Sequence, residues 1–329
     1  MITENIDNNI VEVETMTASE VQSQPIEWLL NPFIPLGTVS LIFGDGGTGK
    51  SFYTLALAAA ISKGQLIPGM DKPFPASDVL IQNAENPMNM VIKPRLEMLG
   101  ADCGRIHSIN DEEKRLTLTD ERIEAAIRKH NAKYVVIDPF QSYFSENFSM
   151  NRVESVRPAL MHLERVATRT QSAVVIVCHV SKGRGKALHK GLGSVDIVNA
   201  VRSVLFIGRA EGLDPDVRAV AHCKSNFSEL GVTQTFRLNK KDGFQWLGES
   251  DITPDDIINF NAKKAKEDKN KIDEAAEFLF EILAEGDIPA TEAMEQADEV
   301  GISRKTLERA RKAAGVKSKR TDGHWIWHL

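Results

Sequence analysis

The chain has 329 residues, of which 42% are hydrophobic and 26% charged, and 40 basic against 46 acidic side chains leave a formal net charge of −6. This length predicts one large domain and one small one, and the balance of apolar and charged residues excludes a fibrous or wholly disordered chain. The longest uncharged stretches, 28–44 and 51–62, fall short of the roughly 18–20 apolar residues that cross a bilayer, so no membrane partner is expected.

In chain order, residues 1–24 hold five acidic side chains and no Lys or Arg, which predicts a disordered acidic tail. Their opening, MITENIDNNIVEVE, lacks the basic start and apolar run of a secretory signal, so the expected location is cytoplasmic. From residue 25 to 248 short apolar runs alternate with amphipathic stretches. Strands are expected at 38–43, 79–82, 134–137 and 173–178, with helices at 51–62, 88–99, 119–130 and 155–170. That alternation is the pattern of an α/β domain with a predominantly parallel sheet, and the runs TVSLIF, YVVID and AVVIVCH lack the polar alternation of a one-sided strand. Further strands at 203–208, 217–222 and 233–238 extend the sheet with hairpins. Residues 249–270 are polar and blocky in charge and read as a linker. Residues 271–329 then carry three helical stretches, with Ser303 as N-cap and Gly315 as stop, and a hairpin at Asp322-Gly323, the order of a winged helix-turn-helix domain. Cys103, Cys178 and Cys223 are an odd, widely spaced set that forms neither a disulfide framework nor a zinc pattern.

The chemistry concentrates at Gly44-Asp45-Gly46-Gly47-Thr48-Gly49-Lys50-Ser51, which matches GxxxxGK[ST] between a predicted strand and a predicted helix. Glycines let successive N–H groups close on phosphate oxygens, and the helix presents its positive end to the same anion. Lys50 is expected to reach the β- and γ-phosphates of ATP and Ser51 to hold Mg²⁺. The strand Tyr134-Val-Val-Ile-Asp138 ends in a carboxylate suited to the Mg²⁺ shell, but Pro139 follows it, so this strand offers no adjacent Glu to orient water. Glu85, just beyond the strand at 79–82, is the candidate for that task, with a solvated loop position as its plain alternative.

Together these residues resemble the RecA-like P-loop ATPases, and within them the RepA-type hexameric replicative helicases and related AAA family ATPases of plasmids, phages and mobile elements, over residues 27–238. The resemblance implies assembly into a homo-oligomeric ring, a hexamer, with ATP sites between subunits. It places His179 where these helicases carry a γ-phosphate sensor. The following basic loop, with Lys182, Arg184 and Lys186, is similar to the loop that faces single-stranded DNA, where cations neutralise phosphates without reading sequence. Arg202 falls where the family carries an arginine that reaches the neighbour's ATP site; Lys224 ranks beside it and Arg209 after it. The chain departs from the pattern in lacking a primase or collar domain and in having few aromatics after His179.

In residues 301–329, eight cations stand against two acids inside an acidic protein. Arg304, Lys305, Arg309 and Lys312 on the last helix, and Lys317, Lys319 and Arg320 on the wing, suit a duplex DNA groove and its phosphates. Ile302, Leu307, Ala310 and Ala314 are expected to pack on the first helix of this module, with Trp325 and Trp327 closing its core. The expected function is an ATP-hydrolysing, DNA-acting motor of the helicase kind. The alternative is a nucleotide-switched DNA-binding regulator, loader or recombination accessory without unwinding; a small-molecule kinase would leave the basic module unexplained.

Overall fold

In a computed structural model of the chain, the described residues are 15–144, 153–179, 195–284, 286–321 and 323–329. A short hairpin of β1 (Trp28–Leu30) and β2 (Ile34–Pro35) leads into β3 (Val39–Gly44) and α1 (Lys50–Lys63). The core continues through β4 (Val79–Asn83), α2 (Lys93–Met98), β5 (Ile106–His107), α3 (Glu121–His130), β6 (Tyr134–Asp138), α4 (Val153–Thr170), β7 (Ala173–His179), α5 (Val195–Ala200) and β8 (Ser203–Gly208). It ends with β9 (Val217–Ser225), β10 (Gln234–Asn239) and β11 (Gly243–Glu249). These strands form one nine-stranded sheet in the order β11-β10-β9-β8-β3-β7-β6-β4-β5. From β8 to β5 every pairing is parallel, and β9, β10 and β11 add antiparallel hairpins.

The unbroken apolar runs have their explanation in two cores. Val39, Leu41 and Phe43 face one core with residues of α3 and α4, while Ile42 faces another with residues of α1 and α2. Strands β6, β7 and β8 divide their side chains in the same way, so both faces of the central strands are buried. Helix α1 has no polar face, because the central strands, α2 and the aromatic side of the β10–β11 hairpin of the same sheet all pack against it. Tyr53 lies 5.8 Å from the ring of Phe236 and 5.6 Å from that of Trp246. The segment expected as one helix at 88–99 opens with a π-helical turn at Met88–Ile92 before α2.

Residues 249–270, read as a linker, are instead largely the first half of a 30-residue helix, α6 (Pro254–Leu283). Thr253 and Asp256 form a reciprocal capping box with Pro254 in the first turn, a start signal that the polar composition obscured. Helix α6 is rooted in the sheet. Ile257 is fully buried, and a Cβ added to Gly208 would lie 2.2 Å from its Cγ2 atom, so the close approach requires glycine there. Lys263 pairs with Glu211 at 2.7 Å on the same flank.

The far half of α6 joins a third core. Ala275, Leu279 and Leu283 pack with residues of α7 (Ala290–Glu299) and α8 (Arg304–Ala313) and with Trp327. Strands β12 (Ile288–Pro289), β14 (His324–His328) and β13 (Lys317–Thr321) complete this unit as an antiparallel sheet in that spatial order. Ser303 caps α8 by accepting from the Thr306 N–H at 3.2 Å. Trp325 differs from expectation. It shares a strand face with Trp327, but it lies one step nearer the hairpin tip, outside the third core, and is 56% exposed where Trp327 is 2% exposed.

Candidate nucleotide site

The loop between β3 and α1 is shaped by its own chemistry. Gly47 and Gly49 have φ of 77° and 89°, in the left-handed region that favours glycine. A Cβ on Gly44 would lie 2.1 Å from the Ile207 carbonyl oxygen, and one on Gly49 2.9 Å from Leu238. At Gly46 and Gly47, by contrast, nothing lies within 4 Å, so the backbone there faces an open mouth. The Thr48 hydroxyl donates to the Asp45 carbonyl at 2.9 Å and braces the turn. A loop wedged at its ends and open at its middle fits a chain of phosphates held by main-chain N–H groups.

Lys50 is 3% exposed, and its ammonium donates to the Gly44 and Asp45 carbonyls, each at 2.8 Å. An ammonium has three donors, so two are accounted for. Burial lowers the pKa of Lys50, while the carboxylates of Asp138, Asp45 and Glu85 pull it back up. The structure thus brings Asp45, Glu85 and Asp138 into electrostatic reach of one buried cation. Ser51 follows it in the first turn of α1, half-buried. Asp138 is 2% exposed at the C-terminal end of β6, and in the sheet order only β7 separates β6 from the loop-bearing β3.

Asn83 is a site residue that the sequence reading passed over. It stands opposite Asp138 in the β4–β6 register, and its amide Nδ2 donates to Asp138 Oδ2 at 3.4 Å. Its Oδ1 accepts from the backbone N–H of Glu85 at 3.1 Å and of Asn86 at 2.8 Å. One side chain therefore ties the buried carboxylate to the turn that presents the exposed Glu85. The available signal was its place as the polar last residue of a buried strand. Gln141 was also passed over. Its Nε2 donates to Cys178 Sγ at 2.8 Å, and burial pushes the Cys178 thiol up to about 12, so this cysteine is an inert wall of the site.

His179 ends β7, with its backbone paired in register with Gly44; its side chain lies outside the described residues. The basic loop with Lys182, Arg184 and Lys186 also lies outside them. Arg202 and Lys224 sit at the other end of the sheet. The Arg202 N–H donates to the Val39 carbonyl, and β3 runs about 17 Å from there to Gly44. The Arg202 guanidinium pairs with Glu164 at 3.2 Å, and Glu164 also accepts from the Val39 N–H at 2.8 Å. The Lys224 ammonium donates to the carbonyls of Val198, Asn199 and Val201 at 2.8, 3.3 and 2.8 Å, and so caps the C-terminal end of α5. Arg209, ranked behind both from sequence, follows Gly208 on the edge that carries the loop. His222, in the same strand as Lys224, is buried between the Ser203 hydroxyl and the Gly231 N–H, and burial pushes its pKa down to about 4.

On the second unit, Arg304, Lys305, Arg309 and Lys312 are exposed along α8, and Lys317, Lys319 and Arg320 are exposed on β13. Arg311 is the exception in this basic run. It turns inward, over the Trp327 ring at 5.3 Å and against Glu308 at 3.2 Å.

A glycine loop and lysine between strand and helix, an acidic strand end two strands away, and a parallel sheet extended by hairpins define a RecA-like P-loop nucleotide-binding domain. The chain belongs to the AAA domain family, whose pattern it matches over residues 9–185, and the domain is accordingly an ATPase domain. No curated protein matches the chain. Solved structures similar to it include an ATPase domain, at 13% identity over 65% of this chain and 85% of that one, with a TM-score of 0.49. Among the described residues no helix is long and apolar enough to cross a membrane.

Proposed function

We propose that this protein is an ATP-hydrolysing, DNA-acting motor of the RepA-like helicase kind, working as a homo-oligomeric ring, a hexamer, with ATP sites between subunits. The observation that carries the reading is the 44–51 loop, open at Gly46 and Gly47 with Lys50 buried against its carbonyls, together with buried Asp138 tied through Asn83 to the turn that bears Glu85. Loop N–H groups and Lys50 bind and orient the triphosphate of ATP, and Ser51 and Asp138 are the residues that would hold Mg²⁺. The ion would supply neutralisation of charge on the transferring phosphoryl group. Glu85, exposed at the strand ends, accepts the proton of the attacking water. His179 serves as the γ-phosphate sensor. For the cation supplied by a neighbouring subunit, the loop-edge position of Arg209 now favours it over Arg202 and Lys224, whose local contacts would have to break.

DNA is the proposed partner of both units. The basic loop with Lys182, Arg184 and Lys186 would follow single-stranded backbone. The helix order and the β12-β14-β13 sheet support reading residues 271–329 as a winged helix-turn-helix that places α8 in a duplex groove and β13 along phosphates. A second reading, a nucleotide-switched DNA-binding regulator, is favoured by one observation. Helix α6 runs unbroken from Ile257, against the strand next to the loop, to Leu283 in the basic unit. The purified chain is therefore expected to turn over ATP faster with single-stranded DNA and to displace an annealed strand. Duplex binding without displacement selects the regulator, and ATP turnover indifferent to every DNA rejects the DNA-acting reading.

A further inference from the structure

Far from the loop, at the outer edge of the sheet, three metal-ligating side chains from three elements converge. Asp78 directly precedes β4, His107 lies on the edge strand β5, and His130 is the last residue of α3. One ligand atom from each lies within 4.8 Å of the other two, and all three residues are half-buried. His107 Nε2 is 2.8 Å from Asp78 Oδ2, and Arg105 donates to the other oxygen, Oδ1, at 2.9 Å. The two imidazoles are stacked, with centroids 3.6 Å apart and planes inclined by 17°.

An ion pair that fastens the edge strand would need only Asp78 with Arg105 and His107. It gives no role to the second imidazole laid against the first. From this geometry we propose that Asp78, His107 and His130 form a binding site for a divalent transition metal of the zinc class. Two imidazoles and one carboxylate suit zinc, cobalt or nickel and are a poor set for magnesium or calcium, which prefer oxygen ligands alone. Asp78 would bind through Oδ2, while Arg105 stays on Oδ1 as the outer partner that fixes the carboxylate. His107 would bind through Nε2 as a neutral ring. Ligand distances near 2.0–2.2 Å put neighbouring ligand atoms about 3.3 Å apart in a tetrahedron, so the Asp78–His107 pair opens by roughly half an ångström and the stacked rings splay to bring their nitrogens in. Side-chain torsions supply that adjustment. Partial exposure leaves a position for water, and the end of α3 directs its negative pole toward the cation. The metal would clamp α3 and the two-residue strand β5 to the start of β4, a structural role separate from nucleotide chemistry.

The test uses the full chain, stripped with a chelator and free of nucleotide and magnesium. It is titrated with Zn²⁺ against a competing chelator and with Co²⁺ followed by its visible absorption. One equivalent is expected to bind, to give the absorption of a low-coordinate cobalt site, and to raise the unfolding temperature. His107→Gln and His130→Gln should each weaken binding by more than roughly 100-fold, since loss of an outer partner alone costs about 10–100-fold. Replacing the C-terminal pair His324 and His328 by Gln should change nothing. If either variant fails to fold, Asp78→Asn, which keeps the side chain's shape, carries the same expectation. Absence of binding, or binding equally tight in the wild type and these variants, overturns the proposal whatever the ATPase assay shows.

Discussion

A Glu85→Gln variant is expected to keep nucleotide affinity and to lose turnover by about 10²–10⁴-fold, the range that a positioned proton acceptor supplies. The argument is local. Glu85 is exposed, so the substitution disturbs no core, and the turn that carries it is held through backbone N–H groups by Asn83. What changes is the capacity to accept a proton at the strand ends, within electrostatic reach of Lys50. Steady-state hydrolysis together with equilibrium nucleotide binding checks the result. Turnover within a few-fold of wild type would remove Glu85 from the mechanism and redirect the search to other acids on the loop edge, Asp45 first.

A Gly44→Ala substitution should be costly to both fold and site. Its Cβ would stand 2.1 Å from the Ile207 carbonyl, a backbone atom that cannot rotate away, so β3 and β8 must separate or the loop must be displaced. Forced overpacking of this kind costs about 1–3 kcal/mol, and displacement of the loop's first residue should abolish nucleotide binding as well. Gly46→Ala is the matched control, because nothing lies within 4 Å of its added Cβ and stability should stay within about 0.5 kcal/mol of wild type. Denaturant unfolding of the two variants separates them. Equal stabilities would mean that the loop does not pack against β8 as described.

The legible parts of this protein were those where one local pattern decides the outcome. The GxxxxGK[ST] loop lies between β3 and α1, and the apolar runs ending at Asp138 and His179 are central strands because burial on both faces removes polar alternation. Contacts between distant segments were not legible. Nothing near Arg202 in the chain announces Glu164, and nothing near Lys224 announces the carbonyls at the end of α5, so both cations read as available when their local geometry engages them. Helix α6 was hidden for a different reason. Its middle stands in solvent and has no apolar stripe, so periodicity fails there, and only the capping box at Thr253 and the short apolar group around Ile257 and Ile258 mark its start. Trp325 shows the limit of strand spacing, which gives the face of a side chain but not how far the core beneath it extends.

The motor function proposed for the core depends on the 44–51 loop holding a triphosphate. Calorimetric titration of the full chain with ATP, with and without Mg²⁺, tests this directly. The expected result is saturable binding that tightens with Mg²⁺ and disappears in Lys50→Ala; no magnesium-dependent binding, or binding unchanged by Lys50→Ala, would contradict it.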